Sequence, residues 1–253
     1  MLRYLAATPE QLSAARACTP HIAHMAYRIG ADDLLLCAPL PDTLRGGLLM
    51  LSDCEAPPVR HSDFLCRQLL CECLRRNYAG IVLDFENAPT DDRIALVQVL
   101  DGMVPLYHRQ LFVPELWAPY APHSTILICT ALSGGSLHQR FAQAVEQFPP
   151  HRLALDGQRL MMDFPLPCPD GQGVPLSIDA LRRRARGRSV FFSEDLCARY
   201  FTYRIGCDTH FVLFDDADTL QRKTELAASL GIQTAFFMLP EVTDLLESLS
   251  PEA

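Results

Sequence analysis

Short apolar runs alternate with amphipathic segments from one end of this chain to the other, and the runs are apolar at consecutive positions instead of every second one. A strand with no polar face must be covered on both sides. That is the condition of a parallel sheet whose crossovers are helices. The runs place strands at Leu2–Ala7, Asp33–Ala38, Gly47–Ser52, Gly80–Glu86, Thr125–Leu132, Leu153–Phe164, Val190–Ser193 together with Phe211–Phe214, and Gln233–Leu239. Helical periodicity lies between them. In Ser62–Asn77, Leu65, Cys66, Leu69, Leu70, Cys73 and Leu74 share one broad face opposite Arg67, Gln68, Glu72 and Arg75. Asp91 and Asp92 open the next helix, where its dipole favours anions. A last helix from about Thr219 to Leu230 stops at Gly231, a natural C-terminal cap.

About eight strands and seven helices in βα order favour an α/β barrel of the (β/α)8, TIM type over a doubly wound sheet, and 253 residues is its usual length. Two irregular stretches interrupt the alternation. Phe164–Pro175, rich in proline and glycine, reads as a long loop because alternation resumes after it; Phe112–His123 reads as a lid or short excursion. The expectation is one barrel domain over residues 1–253.

The chain is 49% hydrophobic and carries 22 basic against 30 acidic residues, a formal charge of −8. That composition excludes a disordered chain and argues against a general nucleic-acid binder. No apolar stretch approaches membrane-spanning length, and the N-terminus lacks the apolar core of a secretory signal. Ten cysteines without a CxxC pair read as small buried thiols, with a cluster at Cys66, Cys71 and Cys73 as the alternative. A cytoplasmic protein, without membrane contact, cofactor or metal, is the simplest expectation.

The informative segment is Tyr78–Arg93, YAGIVLDFENAPTDDR. Gly80–Leu83 is an apolar strand ending in Asp84-Phe85-Glu86, so two carboxylates leave the same face at its C-terminal end. In a barrel they would project into the mouth, and like charges that close force one pKa upward. A neutral carboxylic acid is what protonation of a glycosidic oxygen requires. Spacing alone equally accommodates a plainer arrangement, in which Asp84 caps the following loop and Glu86 pairs with an arginine.

This segment resembles the catalytic strand of family-18 glycoside hydrolases, DGxDxDxE. DFENAPTDDR is similar to the DFEN-x-P-x-x-D-R stretch of the spore-germination and cortex-lytic N-acetylglucosaminidases within that family. Gly80 matches the motif glycine, Asp84 the last aspartate and Glu86 the proton donor, while Ala79 and Val82 stand where the first two aspartates belong. A second segment, Tyr203 through His210 and on to Phe-Val-Leu-Phe-Asp-Asp-Ala-Asp-Thr, looks like the branch's Y…H-V-W-F-E-D-A-x-S, with Lys223 following. Leu160-Met-Met-Asp163-Phe resembles M-x-Y-D-Y with Met162 in place of tyrosine, and AFFML puts Phe237 where the family has a tryptophan floor.

The resemblance implies a glycoside hydrolase acting on N-acetylglucosamine-containing glycans of peptidoglycan or chitin type. Its mechanism would be retaining and substrate-assisted, outside the usual two-carboxylate scheme. It would make Glu86 the acid and then the base, and Asp84 the group that orients the 2-acetamido arm. Asp163 would lie nearby and raise the pKa further, Tyr203 would replace the lost tyrosine hydroxyl, and Phe237 would underlie the sugar. Trp117, the single tryptophan, would stack on a sugar from a lid or else anchor a loop. The departures at Val82 and Met162 leave a second reading, a catalytically weakened carbohydrate-binding relative. Plainer readings suffice elsewhere. Arg182–Arg188 is a solvated helix face, Ser133–Ser136 a capping turn, His210 a structural hydrogen-bond partner, and His21 and His24 a helical pair without a third ligand.

Overall fold

Eight parallel staves close on one another through main-chain pairing. The computed structural model describes residues 1–169 and 171–249. In chain order it runs β1 (Leu2–Ala7), α1 (Leu12–Cys18), β2 (Ile22–Ile29), β3 (Leu35–Cys37), β4 (Leu48–Ser52), α2 (Ser62–Arg75), β5 (Gly80–Asp84) and α3 (Asp91–Met103). It continues with β6 (Gln110–Pro114), β7 (Thr125–Cys129), α4 (Leu137–Gln147) and β8 (Leu153–Asp156). An insertion follows: β9 (Met161–Leu166), β10 (Val174–Pro175), α5 (Ile178–Ala185), β11 (Phe191–Ser193), β12 (Ala198–Ile205) and β13 (Asp208–Phe214). The chain then returns through α6 (Ala217–Ser229), β14 (Thr234–Met238) and the short α7 (Leu239–Val242). The staves follow the order β1, β14, β8, β7, β6, β5, β4, β2, and pairing of Leu5, Ala6 and Ala7 with Ile22, Ala23 and His24 closes the ring.

Period-two alternation divides each stave between two cores. Tyr4, Ala6, Ala23, Leu48, Met50, Val82, Phe112, Ala154 and Phe236 fill the barrel. Large and small side chains share that space, and the Phe236 ring stacks on Tyr4 at 5.1 Å and meets Phe112 edge-on at 5.1 Å. The intervening residues, such as Leu49, Leu51, Ile81 and Leu83, pack outward under the helices.

The barrel is as expected, but two of its staves, β2 and β6, are not the expected ones. The segment holding His21 and His24, expected to be helical, instead leads into the second stave, Ile22–Ile29, which is buried on both faces except at Met25 and Arg28. Asp33–Ala38 contributes only the short edge strand β3, antiparallel to β2. Phe112–His123, expected to be irregular, begins inside β6 and continues as a 3-10 turn over Glu115–Tyr120.

Leu153–Phe164 is two strands in two sheets. β8 ends at Asp156, and Gly157 follows where an added Cβ would lie 2.5 Å from the Phe237 ring and 2.7 Å from the Phe236 carbonyl oxygen. The Val190–Ser193 and Phe211–Phe214 runs belong to the insertion, an antiparallel sheet in the order β10, β9, β13, β12, β11. A buried ion pair ties its exit to the barrel. Lys223 Nζ lies 2.8 Å from Asp215 Oδ2 and donates to the Thr130 carbonyl at 3.1 Å, while Asp215 also accepts from the Leu160 N–H. α6 starts on a capping box at Asp216 and ends before Gly231, whose φ of +88° only glycine takes readily.

Candidate active site

The C-terminal ends of the staves surround a cavity of about 510 Å³. Its polar lining is Asp84, Glu86, Glu115, Cys129, Asp156, Gln158 and Glu241; its apolar walls include Met50, Val82, Leu127, Phe236 and Met238. Asp84 is the last residue of β5 and faces inward above Gly80 and Val82, as alternation requires. Phe85 turns out of the barrel and meets Trp117 edge-on at 5.4 Å, so Glu86 returns to the cavity side. Glu86 is exposed at the rim. Its main chain is held from the neighbouring stave: the Glu86 N–H donates to Asp53 Oδ1 at 3.2 Å and the Asn87 side chain donates to Asp53 Oδ2 at 3.3 Å.

The Asp84 carboxyl is displaced from the ordinary aspartate range. Burial against apolar walls, then the charge of Glu86, then that of Asp53, push it up to about 6. A third acid, Asp156, ends β8 inside the same cavity and is likewise pushed up to about 6, by burial first, then Glu241, then Asp84. Glu241 on α7 is raised too, chiefly by burial, although its carboxylate accepts the Arg159 N–H at 2.9 Å. Asp53 and Asp156 were not singled out from the sequence. Each lies at the end of an apolar run, LLMLSD and LALD, the same signature as GIVLD, and that signal was sufficient to find them.

Four expected contributors lie elsewhere. Asp163 and Tyr203 do meet, but inside the insertion. The Tyr203 hydroxyl donates to Asp163 Oδ2 at 2.5 Å, His210 Nδ1 lies 3.0 Å from Oδ1, and the Arg184 guanidinium is 3.4 Å away. Burial and the Asp163 carboxylate push Tyr203 up to about 12. Asp163 is therefore spent within its own sheet and plays no part in raising Asp84, and His210 has the structural role expected. Phe237 is one residue out of phase: it packs outward under the helices, and Phe236 forms the floor. Trp117 is fully buried as a loop anchor between Phe85 and Tyr120, not a stacking platform.

The weaker motifs resolve plainly. His24 lies on β2 beside the Gly46 carbonyl at 3.3 Å and burial holds it down to about 4. Ser136 caps α4. The cysteines are not all the buried thiols expected: Cys66, Cys73 and Cys197 are buried, the first two pushed up to about 12 and about 11 by burial, whereas Cys18, Cys37, Cys54, Cys71 and Cys207 are exposed, and no disulfide joins any of them. Among the described residues no three metal-binding side chains converge, and no helix is long and apolar enough to cross a membrane.

No protein-family model and no curated protein matches this chain. Solved structures do. The chain is similar to a chitinase from Chromobacterium violaceum at 15% identity and a TM-score of 0.72, covering 98% of this chain and 97% of that one. It is similar to the spore cortex-lytic enzyme SleL of Bacillus megaterium at 17% identity and a TM-score of 0.67, covering 99% and 74%. A GH18 chitinase from Cycas revoluta, solved with (GlcNAc)4, superposes at 13% identity and a TM-score of 0.66 over 99% of both chains. The fold is thus the family-18-like barrel that the Asp84–Glu86 segment pointed to.

Proposed function

We propose that this chain is a glycosidase acting on N-acetylglucosamine-containing glycans, with Glu86 as acid and base and Asp84 as the group that positions the acetamido arm. One observation carries the reading: Glu86 is open to the mouth of a family-18-like barrel, two residues beyond a desolvated Asp84 on the same stave. Had Glu86 been walled off by side chains, the reading would have ended there.

In the proposed reaction the acetamido oxygen attacks the anomeric carbon while Glu86 gives its proton to the departing glycosidic oxygen. That leaves an oxazolinium sugar and a free alcohol. Water then attacks the same carbon, Glu86 takes back a proton, and the acetamido group is restored with the configuration retained. A sugar seated over the rim displaces water from Glu86 and brings the glycosidic oxygen against its carboxyl. Asp84 accepts the acetamido N–H, and its raised pKa keeps it responsive to the charge developing beside it.

A second reading, binding without turnover, is favoured by one observation. Among the described residues, those lining the mouth include no tyrosine, serine, threonine or tryptophan, and Tyr203 is committed to Asp163. Hydrolysis of a chromogenic N-acetylglucosaminide separates the two. Turnover that falls at least ~100-fold in Glu86→Gln, with the fold intact, supports the enzyme. Binding of a tetrasaccharide without turnover in the unaltered protein supports the module.

A further inference from the structure

β2 and β4 are joined by β3 and a loop, with no α-helix between them. A cavity of about 500 Å³ opens beside α1, lined by Arg16, Thr19, His24, Arg45 and Gly46 among others. Ile22, the first residue of β2, and Gly46, just ahead of β4, also border it, so it lies at the end of the barrel opposite the mouth. Although the chain carries a net charge of −8, no aspartate or glutamate lines this cavity among the described residues. Arg16 is exposed and has no hydrogen bond or ion pair there. Arg45 Nη1 donates to the Asp42 and Leu44 carbonyls at 2.6 and 2.8 Å, which steadies the guanidinium without cancelling its charge. The charges acting on the His24 ring are those of Arg16 and Arg76, both positive; Arg76 is held by Glu72 and does not line the cavity.

The His24 ring is left incomplete in its bonding. The residue is 2% exposed, and its Nε2 lies 3.3 Å from the Gly46 carbonyl oxygen. A carbonyl only accepts, so Nε2 carries the ring proton and Nδ1 is a bare lone pair. Nδ1 is buried and has no partner. A buried acceptor left unpaired is costly, and it calls for a donor, while the two arginines beside it call for an anion. One chemical group supplies both. We propose that this cavity binds an oxyanion that keeps a proton, phosphate or a singly charged phosphate monoester, with its charged oxygens on Arg16 and Arg45 and its P–OH donated to His24 Nδ1. Sulfate has the charge and the shape but no proton to give.

The test titrates the full chain calorimetrically with inorganic phosphate, a hexose 6-phosphate and sulfate. It is run at about pH 6, where a phosphate monoester still holds its second proton in part. The expected result is that phosphate, the hexose 6-phosphate or both bind at least about tenfold tighter than sulfate, and the tighter of the two identifies the form taken. Arg16→Gln and Arg45→Gln, both at exposed positions, should each weaken that binding about fivefold or more. His24→Phe, with its fold checked by circular dichroism, should bring the favoured ligand down to the level of sulfate. No binding of either phosphate compound below about 10 mM overturns the proposal, as does sulfate binding as tightly as phosphate, or full affinity in both arginine variants. None of these readouts depends on turnover, so the glycan reading stands or falls separately.

Discussion

Replacing Asp84 by asparagine should make the protein more stable, and the gain should depend on pH. Asp84 has its carboxyl raised from an ordinary 3.8 to about 6 by burial and by neighbouring acids. A folded-state value above the unfolded one means that the stabilising contribution is complete below about pH 4 and is lost as pH rises through about 6. The interval corresponds to about 3 kcal/mol at most. Because the cavity admits water and the asparagine amide must itself be solvated there, about 1–3 kcal/mol is the expected gain at pH 8. For a chain of this length that raises Tm by about 2–4 °C per kcal/mol. Urea unfolding of Asp84→Asn and the unaltered protein at pH 8 and near pH 4 measures it directly. The variant should lead at pH 8 and lose its lead by about pH 4. A variant that is equally stable at pH 8, or whose lead is the same at both pH values, would refute the claim that Asp84 is a desolvated, destabilising acid. The same substitution should abolish productive turnover, since function and stability pull this position in opposite directions.

Asp53→Ala should cut kcat by about 10–100-fold with a smaller change in KM, because it frees the Glu86–Asn87 turn without touching the sugar; rescue by Asp53→Asn, assayed on a chromogenic substrate, tests positioning against simple loss of fold. Phe236→Leu should weaken tetrasaccharide binding, whereas Phe237→Leu should cost about 1 kcal/mol in urea unfolding and leave that binding unchanged, since only Phe236 faces the mouth. Tyr203→Phe should destabilise by about 1–3 kcal/mol, leaving Asp163 short of a donor, with KM unaltered in steady-state assays. Lys223→Met should cost about 3–5 kcal/mol in denaturant unfolding, because Asp215 is left buried and unpaired.

The βα alternation, the barrel, and the acids at the end of β5 were legible in the sequence because each depends on local periodicity. Continuous apolar runs demand cover on both faces, and a two-residue spacing puts Asp84 and Glu86 on one side wherever the strand lies. Which runs become staves was not legible. The β2 run carries His24, Tyr27 and Arg28 and so lacks an uninterrupted apolar signature, yet it closes the ring; the insertion strands have apolar runs as good as any stave but pair antiparallel beside it. Assigning them depends on partners far away in sequence.

The same limit governed the site. Phe236 and Phe237 differ by one residue, and only the register against β8 and β1 decides which faces the mouth. Asp163 and Tyr203 were each expected beside Asp84 and Glu86, but they bond to each other in a sheet that starts only after the turn at Gly157. Residue order determined a pair of carboxylates, Asp84 and Glu86, at a strand end. Tertiary closure alone set the field around it, because charges from β4, β5, β8 and α7 act through space, across a cavity that no local pattern encodes.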